Sequence, residues 1–394
     1  MAPIALSIIG STGSIGRSTL AVAERYADRL RVTALATNTN VETLLEQVKK
    51  HRPALVGIRD HRRAGELQRE LPKSTECVVG EEALIRAASH PGIDTVVVAV
   101  VGFAGVGPTL AAIEAGHNVA LANKETLVTA GEIVMAHARE HGVSLAPIDS
   151  EHSAVWQCLR AGARHEVKRI VLTASGGPFR ALPLDQFDAI TPEQALAHPT
   201  WTMGARITID SATMMNKGFE IIEAARLFGL RSDQIDVVIH PQSIVHSMVE
   251  FQDGSIIAQL GATDMTLPIA YALFAPERPP LAAGMPILDV TQLGTLSFEP
   301  PDAERFPALG LARRALETGG TAPAVLNAAD EVAVAGFLAG RLRFPEITAT
   351  VADALSQHTI VKDPDLEDIE AADRWAREFV NHRVTESYTK SGVT

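Results

Sequence analysis

A chain of 394 residues is longer than one hydrophobic core usually serves, so two or three domains are expected. Its formal net charge of −12 argues against nucleic acid or a membrane surface as partner, because both select a basic face, and leaves small, locally gripped anions. Two cysteines, Cys77 and Cys158, give neither a disulfide framework nor zinc spacing, which fits a reducing cytoplasm.

Met1 leads directly into an apolar run over residues 3–9 that reads as a first strand, without the charged start and cleavage site of a signal peptide. No apolar run approaches the ~20 residues a membrane helix needs. From residue 4 to about 148, short apolar runs alternate with amphipathic stretches, the pattern of a parallel sheet wrapped by helices. The expected strands are residues 4–9, 32–36, 54–58, 95–101, 118–121 and 144–147. After Asp149 the loops become rich in Ser, Thr, Gly, Asn and His, and strands at 169–173 and 237–239 follow at wider spacing. Residues 246–260 alternate in part on both sides of Asp253-Gly254, a dipeptide suited to a tight hairpin turn, and an exposed hairpin edge there invites pairing with a second subunit. Proline-rich sequence at 276–286 reads as a linker. Beyond about residue 306 the pattern is helical, with stretches at 308–317, 322–339 and 347–357, and the last dozen residues read as a frayed end.

The segment Gly10-Ser-Thr-Gly13-Ser-Ile-Gly16 follows the first strand and opens a helix. Backbone N–H groups and the positive helix end then meet where a pyrophosphate can sit. The spacing is GxxGxxG rather than GxGxxG, and strand, loop and helix in that order give it weight against a plain glycine-rich turn. The second strand ends at Ala36-Thr37-Asn38-Thr39-Asn40, where an NAD site carries an acid for the ribose 2′-hydroxyl. That acid is missing, which favours NADPH, although no Arg or Lys stands in the loop to pair with a 2′-phosphate.

Asp149-Ser150-Glu151 follows an apolar stretch, and in extended chain residues two apart point to one side. A helix beginning near Met215 puts Asn216 and Glu220 on one face, four residues apart. Three carboxylates with no cysteine pair or HExxH suit an oxygen-preferring cation such as magnesium or manganese. Taken alone, the DSE segment is better explained by a solvated loop. Lys124, Ser175 before Gly176-Gly177, Ser211, Asn216 and Lys217 add donors for phosphate oxygens. His198-Pro-Thr-Trp201-Thr-Met203-Gly204 combines an imidazole, a large aromatic and a hinge glycine, and reads as a lid, against the plainer reading of a surface loop pinned by its Trp. His240 and His246 read as structural.

The strings GSTGSIG, LANKETLVT, PIDSEH, SGGPFR, HPTWTMG, DSATMMNKGFE and HPQSIVHSMVEFQDGS, in order over residues 10–255, resemble the 1-deoxy-D-xylulose 5-phosphate reductoisomerases. The resemblance implies an α/β chain with a Rossmann-like NADPH domain at 1–148, an α+β catalytic and dimerisation domain at 149–285, a linker at 286–305 and a helical domain at 306–394. It also implies a homodimer acting on a small sugar phosphate, which the cysteine usage leads us to expect in the cytoplasm. NADPH and a divalent cation, magnesium or manganese with cobalt as a further candidate, serve as cofactors, and the product is 2-C-methyl-D-erythritol 4-phosphate.

By the same resemblance Asp149, Glu151 and Glu220 hold the metal, and Lys124, His198, Trp201 and Met203 complete the catalytic set. Lys124, Ser150, Glu151, Ser175, His198, Ser211, Asn216, Lys217 and Glu220 bind substrate. Thr12, Gly13, Ser14, Ile15, Asn38, Thr39, Asn40, Asn123, Glu125, Gly204 and Met265 bind NADPH. One departure stands out: many members have Gly and a basic residue where this chain has Asn38-Thr39, so the grip on the 2′-phosphate is left open. Two rival readings remain. A thioester-forming dehydrogenase needs a nucleophilic cysteine in a fitting setting, and a non-catalytic NADPH sensor needs the glycine loop without the carboxylates.

Overall fold

The computed structural model describes residues 2–201 and 203–390, with side chains through residue 385. Its strands are β1 (Ile4–Ile9), β2 (Leu30–Thr37), β3 (Leu55–Ile58), β4 (Glu76–Val79), β5 (Thr95–Val98), β6 (Asn118–Leu121), β7 (Leu145–Pro147), β8 (Val167–Ala174), β9 (Ile235–Ile239), β10 (Val245–Phe251) and β11 (Ile256–Leu260). The helices are α1 (Ser14–Arg25), α2 (Val41–His51), α3 (Ala64–Glu70), α4 (Glu82–Ala88), α5 (Val106–Glu114), α6 (Lys124–His141), α7 (Ser150–Cys158), α8 (Pro192–Ala195), α9 (Ala205–Thr213), α10 (Met215–Phe228), α11 (Thr266–Phe274), α12 (Ala308–Thr318), α13 (Ala322–Leu338), α14 (Phe344–Gln357) and α15 (Leu366–Lys390).

The chain divides into two compact units. The first comprises Met1–Thr126, Val134–Ser153 and Asp264–Ile287; the second comprises Leu127–Ile133, Ala154–Thr263 and Leu288–Thr394.

In the first unit seven parallel strands run in the order β4-β3-β2-β1-β5-β6-β7. A strand covered on both faces needs apolar residues without alternation, and β1, IALSII, is buried along almost its whole length. The strand at 76–79 was not foreseen from sequence. It is four residues long, begins with an exposed glutamate and is only half-buried at the sheet edge, so it carries little apolar signal. The proline-rich stretch expected to be a linker is instead strapped to this unit. The Tyr26 hydroxyl donates to Pro280 O at 3.0 Å and accepts from Ala282 N at 3.3 Å, and Met285 is buried with Leu30 and Phe274. Proline spacing reveals breaks in periodicity; it does not reveal a carbonyl that a distant tyrosine binds.

In the second unit a four-stranded mixed sheet runs β11-β10-β8-β9, with β8 parallel to β9 and β10 antiparallel to both β8 and β11. The expected hairpin is β10–β11, turning at Gly254 with φ of 86°. Helix α13 is buried nearly all round, and α12, α14 and α15 pack about it in one apolar core that includes Val325, Phe337, Ile347 and Val380. The expected frayed end is corrected in part: α15 continues through Lys390, and Ala372, Ala376, Val380 and Val384 on its apolar face are buried in that core.

Candidate active site

The loop from β1 to α1 closes tightly. A Cβ on Gly16 would stand 2.3 Å from Gly10 O, so only glycine lets the helix start against the strand end. Ser11 Oγ donates to Gln47 Oε1 at 2.8 Å and Gln47 Nε2 returns a bond to Ser11 O at 2.9 Å, which fixes the loop to α2. Thr12 and Thr37 share a hydroxyl hydrogen bond of 2.6 Å across the ends of β1 and β2. No side chain caps α1, and Gly13 and Ser14 are exposed at its start. Uncapped N–H groups at an exposed helix start are what a pyrophosphate requires. Ile15 follows, half-buried.

At the end of β2, Asn38, Thr39 and Asn40 are exposed. Asn40 is already engaged: its side chain accepts from Thr43 N at 3.0 Å and caps α2.

At the end of β6, Asn123 is buried and fully used. Its amide donates to Val100 O at 2.9 Å, Gly102 O at 3.0 Å and Glu125 Oε2 at 2.8 Å, while Oδ1 accepts from Thr126 N at 3.1 Å. Glu125 Oε1 accepts from Gly102 N at 3.1 Å. The side chains of this pair therefore shape the loop after β5. Both residues were expected at the cofactor, and their internal role has no signature in the sequence.

Lys124, 8 % exposed, opens α6 and donates from Nζ to Asp149 Oδ2 at 2.7 Å. Asp149 follows β7, and its Oδ1 accepts from Glu151 N at 3.1 Å. Ser150 Oγ donates to Glu151 Oε2. One carboxylate oxygen each of Asp149 and Glu151 lie within 4.8 Å of each other. The two do not converge through extended chain as expected: Ser150 begins α7, and the aspartate caps the helix whose first turn bears the glutamate. His152, wholly buried with Nδ1 3.2 Å from Asp149 Oδ1, was missed although it stands in the string PIDSEH. Its three-residue spacing from Asp149 was the available signal. Met265, also in this unit, precedes α11 and packs half-buried on the sheet core.

The second unit brings Ser175, His198 and Ser211 together, with Asn216 and Lys217 on α10 of the same unit, while Lys124 belongs to the first. Gly177 has φ of 66° and a Cβ there would meet Ser211 O at 2.9 Å, so the Ser175-Gly176-Gly177 turn lies directly on α9. His198 Nε2 stands 3.1 Å from both Ser175 Oγ and Ser211 Oγ. Its Nδ1 accepts from Trp201 N at 2.9 Å and Thr200 N at 3.2 Å. A nitrogen that accepts from two main-chain N–H groups carries no proton, so the neutral ring holds its proton on Nε2. Burial lowers the pKa of His198, which keeps it neutral. Trp201 is half-buried, its ring centroid 6.5 Å from that of His246; Met203 is half-buried and Gly204 exposed before α9. Thr202, between them, lies outside the described residues. His240 is structural as expected: Nδ1 pairs with Ser297 O at 2.9 Å and Nε2 accepts from Ile244 N at 3.2 Å.

On α10, Glu220 is 1 % exposed. Asn216 Nδ2 donates to its Oε1 at 2.6 Å and Lys217, 3 % exposed, donates to Oε2. A carboxylate buried so deeply stays ionised only with such partners or a cation.

Three family models match the chain in order: 1-deoxy-D-xylulose 5-phosphate reductoisomerase over residues 6–131, its C-terminal domain over 145–228, and the DXP reductoisomerase C-terminal domain over 260–379. Curated relatives include the 1-deoxy-D-xylulose 5-phosphate reductoisomerases of Heliobacterium modesticaldum, 53% identical over 97% of both chains, and Symbiobacterium thermophilum, 54% identical over 95% of this chain and 97% of the relative. Among solved structures, the reductoisomerase from Zymomonas mobilis in complex with NADPH superposes with a TM-score of 0.91 at 44% identity, covering 97% of this chain and 99% of the other. A DOX-P reductoisomerase in complex with NADPH, fosmidomycin and magnesium does so with 0.91 at 41% identity, covering 97% and 98%.

Proposed function

The chain belongs to the 1-deoxy-D-xylulose 5-phosphate reductoisomerase family, an NADPH- and divalent-cation-dependent enzyme, and on that premise we propose how its residues divide the work. The observation that carries the reading is the carboxylate pair Asp149 and Glu151, with Lys124 bonded to the first, at the carboxyl end of a parallel sheet whose first loop is built for a dinucleotide. Ligands of such sheets bind at the carboxyl ends of the strands.

NADPH fits the residues present, since the uncapped start of α1 and the exposed Gly13 and Ser14 suit its pyrophosphate. Thr12, Ile15, Asn38, Thr39, Asn40, Asn123, Glu125, Gly204 and Met265 complete the proposed cofactor set, Asn123 and Glu125 by holding the adjoining loop. A hard cation, magnesium or manganese, fits the all-oxygen donors Asp149, Glu151 and Glu220. When bound, the cation supplies Lewis acidity at the substrate's adjacent oxygens and NADPH supplies hydride.

The chain's own groups do the rest. Lys124 and Ser150 donate to carbonyl and hydroxyl oxygens of 1-deoxy-D-xylulose 5-phosphate while the ketose rearranges by retro-aldol cleavage and re-addition. Ser175, Ser211, Asn216 and Lys217 donate to the phosphate, together with the Nε2–H of His198, so that the remote phosphate anchors both fragments of the carbon skeleton. Trp201 and Met203 close over the carbonyl and exclude water. Ile256, Ile257 and Leu260 are exposed on the edge strand β11, the surface we assign to pairing with a second copy in a homodimer. Among the described residues no helix is long and apolar enough to cross a membrane.

The test is consumption of NADPH on addition of 1-deoxy-D-xylulose 5-phosphate. Activity abolished by chelation and restored by magnesium or manganese supports the reading; full turnover after chelation overturns it.

A further inference from the structure

The loop Asn38-Thr39-Asn40 carries no cation, and its side chains are partly spent: Asn40 caps α2, and the neighbouring Thr37 is bonded to Thr12. A 2′-phosphate is a dianion that needs charge as well as hydrogen bonds. The structure brings cations to this loop from a different strand. β3 is paired with β2 in register through Ile58 and Thr37, and the pairing continues beyond both strands: Arg59 N donates to Thr37 O at 3.1 Å and Asp60 N to Asn38 O at 3.0 Å. Arg59 therefore stands beside Asn38 on the adjoining chain. Arg62 and Arg63 follow in a short 3-10 turn, so three guanidinium groups fall within five residues of a chain whose net charge is −12.

Each arginine is held by carboxylates, and the partners differ. Arg62 serves Asp60, binding it through Nε and one terminal nitrogen and holding that carboxyl down at about 2. Arg63 is shared by Glu42 and Glu66. Arg59 binds through Nε and Nη2 to a single carboxylate, Glu81, whose side chain is 77% exposed. An ion pair this exposed contributes little and exchanges readily for a phosphate, which carries more charge.

We propose that Arg59, exchanging Glu81 for the ligand, is the residue by which this chain recognises the 2′-phosphate of NADPH, replacing the basic residue that its β2–α2 loop lacks. Arg62 keeps Asp60 neutralised beside it, so that the loop end does not repel the dianion. The assignment rests on the NADPH reading above. It extends that reading by naming a specificity determinant that lies some twenty residues from the loop and is joined to it only through sheet register.

The experiment measures binding of NADPH, NADH and 2′,5′-ADP to the full chain by calorimetry, without substrate, for the wild type, Arg59→Gln and Glu81→Gln. Arg59→Gln is expected to weaken NADPH and 2′,5′-ADP about tenfold or more and leave NADH within twofold. Glu81→Gln, which removes the competing carboxylate, is expected to tighten NADPH and not NADH. An Arg59→Gln variant that keeps the wild-type ratio of NADPH to NADH affinity, or that weakens both equally, overturns the proposal. A wild type without preference for the 2′-phosphorylated ligands would instead strike at the NADPH reading itself.

Discussion

His198 shows how one side chain acquires its role from its surroundings. Two main-chain N–H groups from its own loop occupy Nδ1, so the ring can only donate from Nε2, toward Ser175 and Ser211. The sign of its pH dependence follows. Burial lowers the folded pKa, so its contribution to loop order is present above the ordinary histidine value and is lost as pH falls through the lowered one. His198→Ala should raise KM for the sugar phosphate about tenfold, the loss of roughly 1.5 kcal/mol, with kcat far less affected. A His198→Ala variant whose KM equals that of the wild type above neutrality would contradict the assignment. The histidine was legible in the sequence as part of a loop with Trp201 and Gly204. The tautomer was not, because it depends on the curl of the main chain between His198 and Trp201, which no residue pattern encodes.

Helix α9 carries Ser211, and its placement is settled by contacts at both ends. Arg206, in its first turn, donates to Asn327 Oδ1 at 2.8 Å and pairs with Glu331 at 2.9 Å on α13, and Arg377 from α15 binds the same glutamate at 2.9 Å. At the other end Gly177 leaves no room for a Cβ, which would stand 2.9 Å from Ser211 O and 3.1 Å from Ala212 Cα. Gly177→Ala puts a Cβ into that contact at a positive φ, and should cost about 1–3 kcal/mol of stability while raising KM for substrate. Thermal melts and kinetics on one preparation check both effects, and a variant with unchanged melting temperature and KM would show that the turn does not set the helix. Most elements here were foreseen in type: the parallel strands, the hairpin and the C-terminal helices all have clear periodicity. What escaped was set by tertiary partners, namely the edge strand β4, the strapping of residues 276–286 by Tyr26, and the capping that converts Asp149-Ser150-Glu151 from extended chain to a helix start.

For the molecule as a whole, the telling ionisable group is an acid in the helical core. Asp330 is wholly buried on α13; desolvation first, and then the nearby charge of Asp210, hold its carboxyl well above the usual carboxylate range, with Arg206 acting against them at 3.8 Å. An acid raised on folding stabilises fully below its unfolded value of about 4, and that contribution is lost as pH rises through the folded value. Asp330→Asn, which is neutral at every pH, should therefore melt higher than the wild type at neutral pH, with the gap closing under acid conditions. Parallel melting curves across that range would contradict the assignment. Whether the three carboxylates share one cation is decided by titrating the metal-free chain with manganese and following the free ion by electron paramagnetic resonance. One ion per chain should bind in the wild type, and Glu220→Gln should weaken that binding at least tenfold while NADPH affinity is kept. Equal manganese affinity in the wild type and Glu220→Gln would contradict the claim that Glu220 joins Asp149 and Glu151 as a ligand.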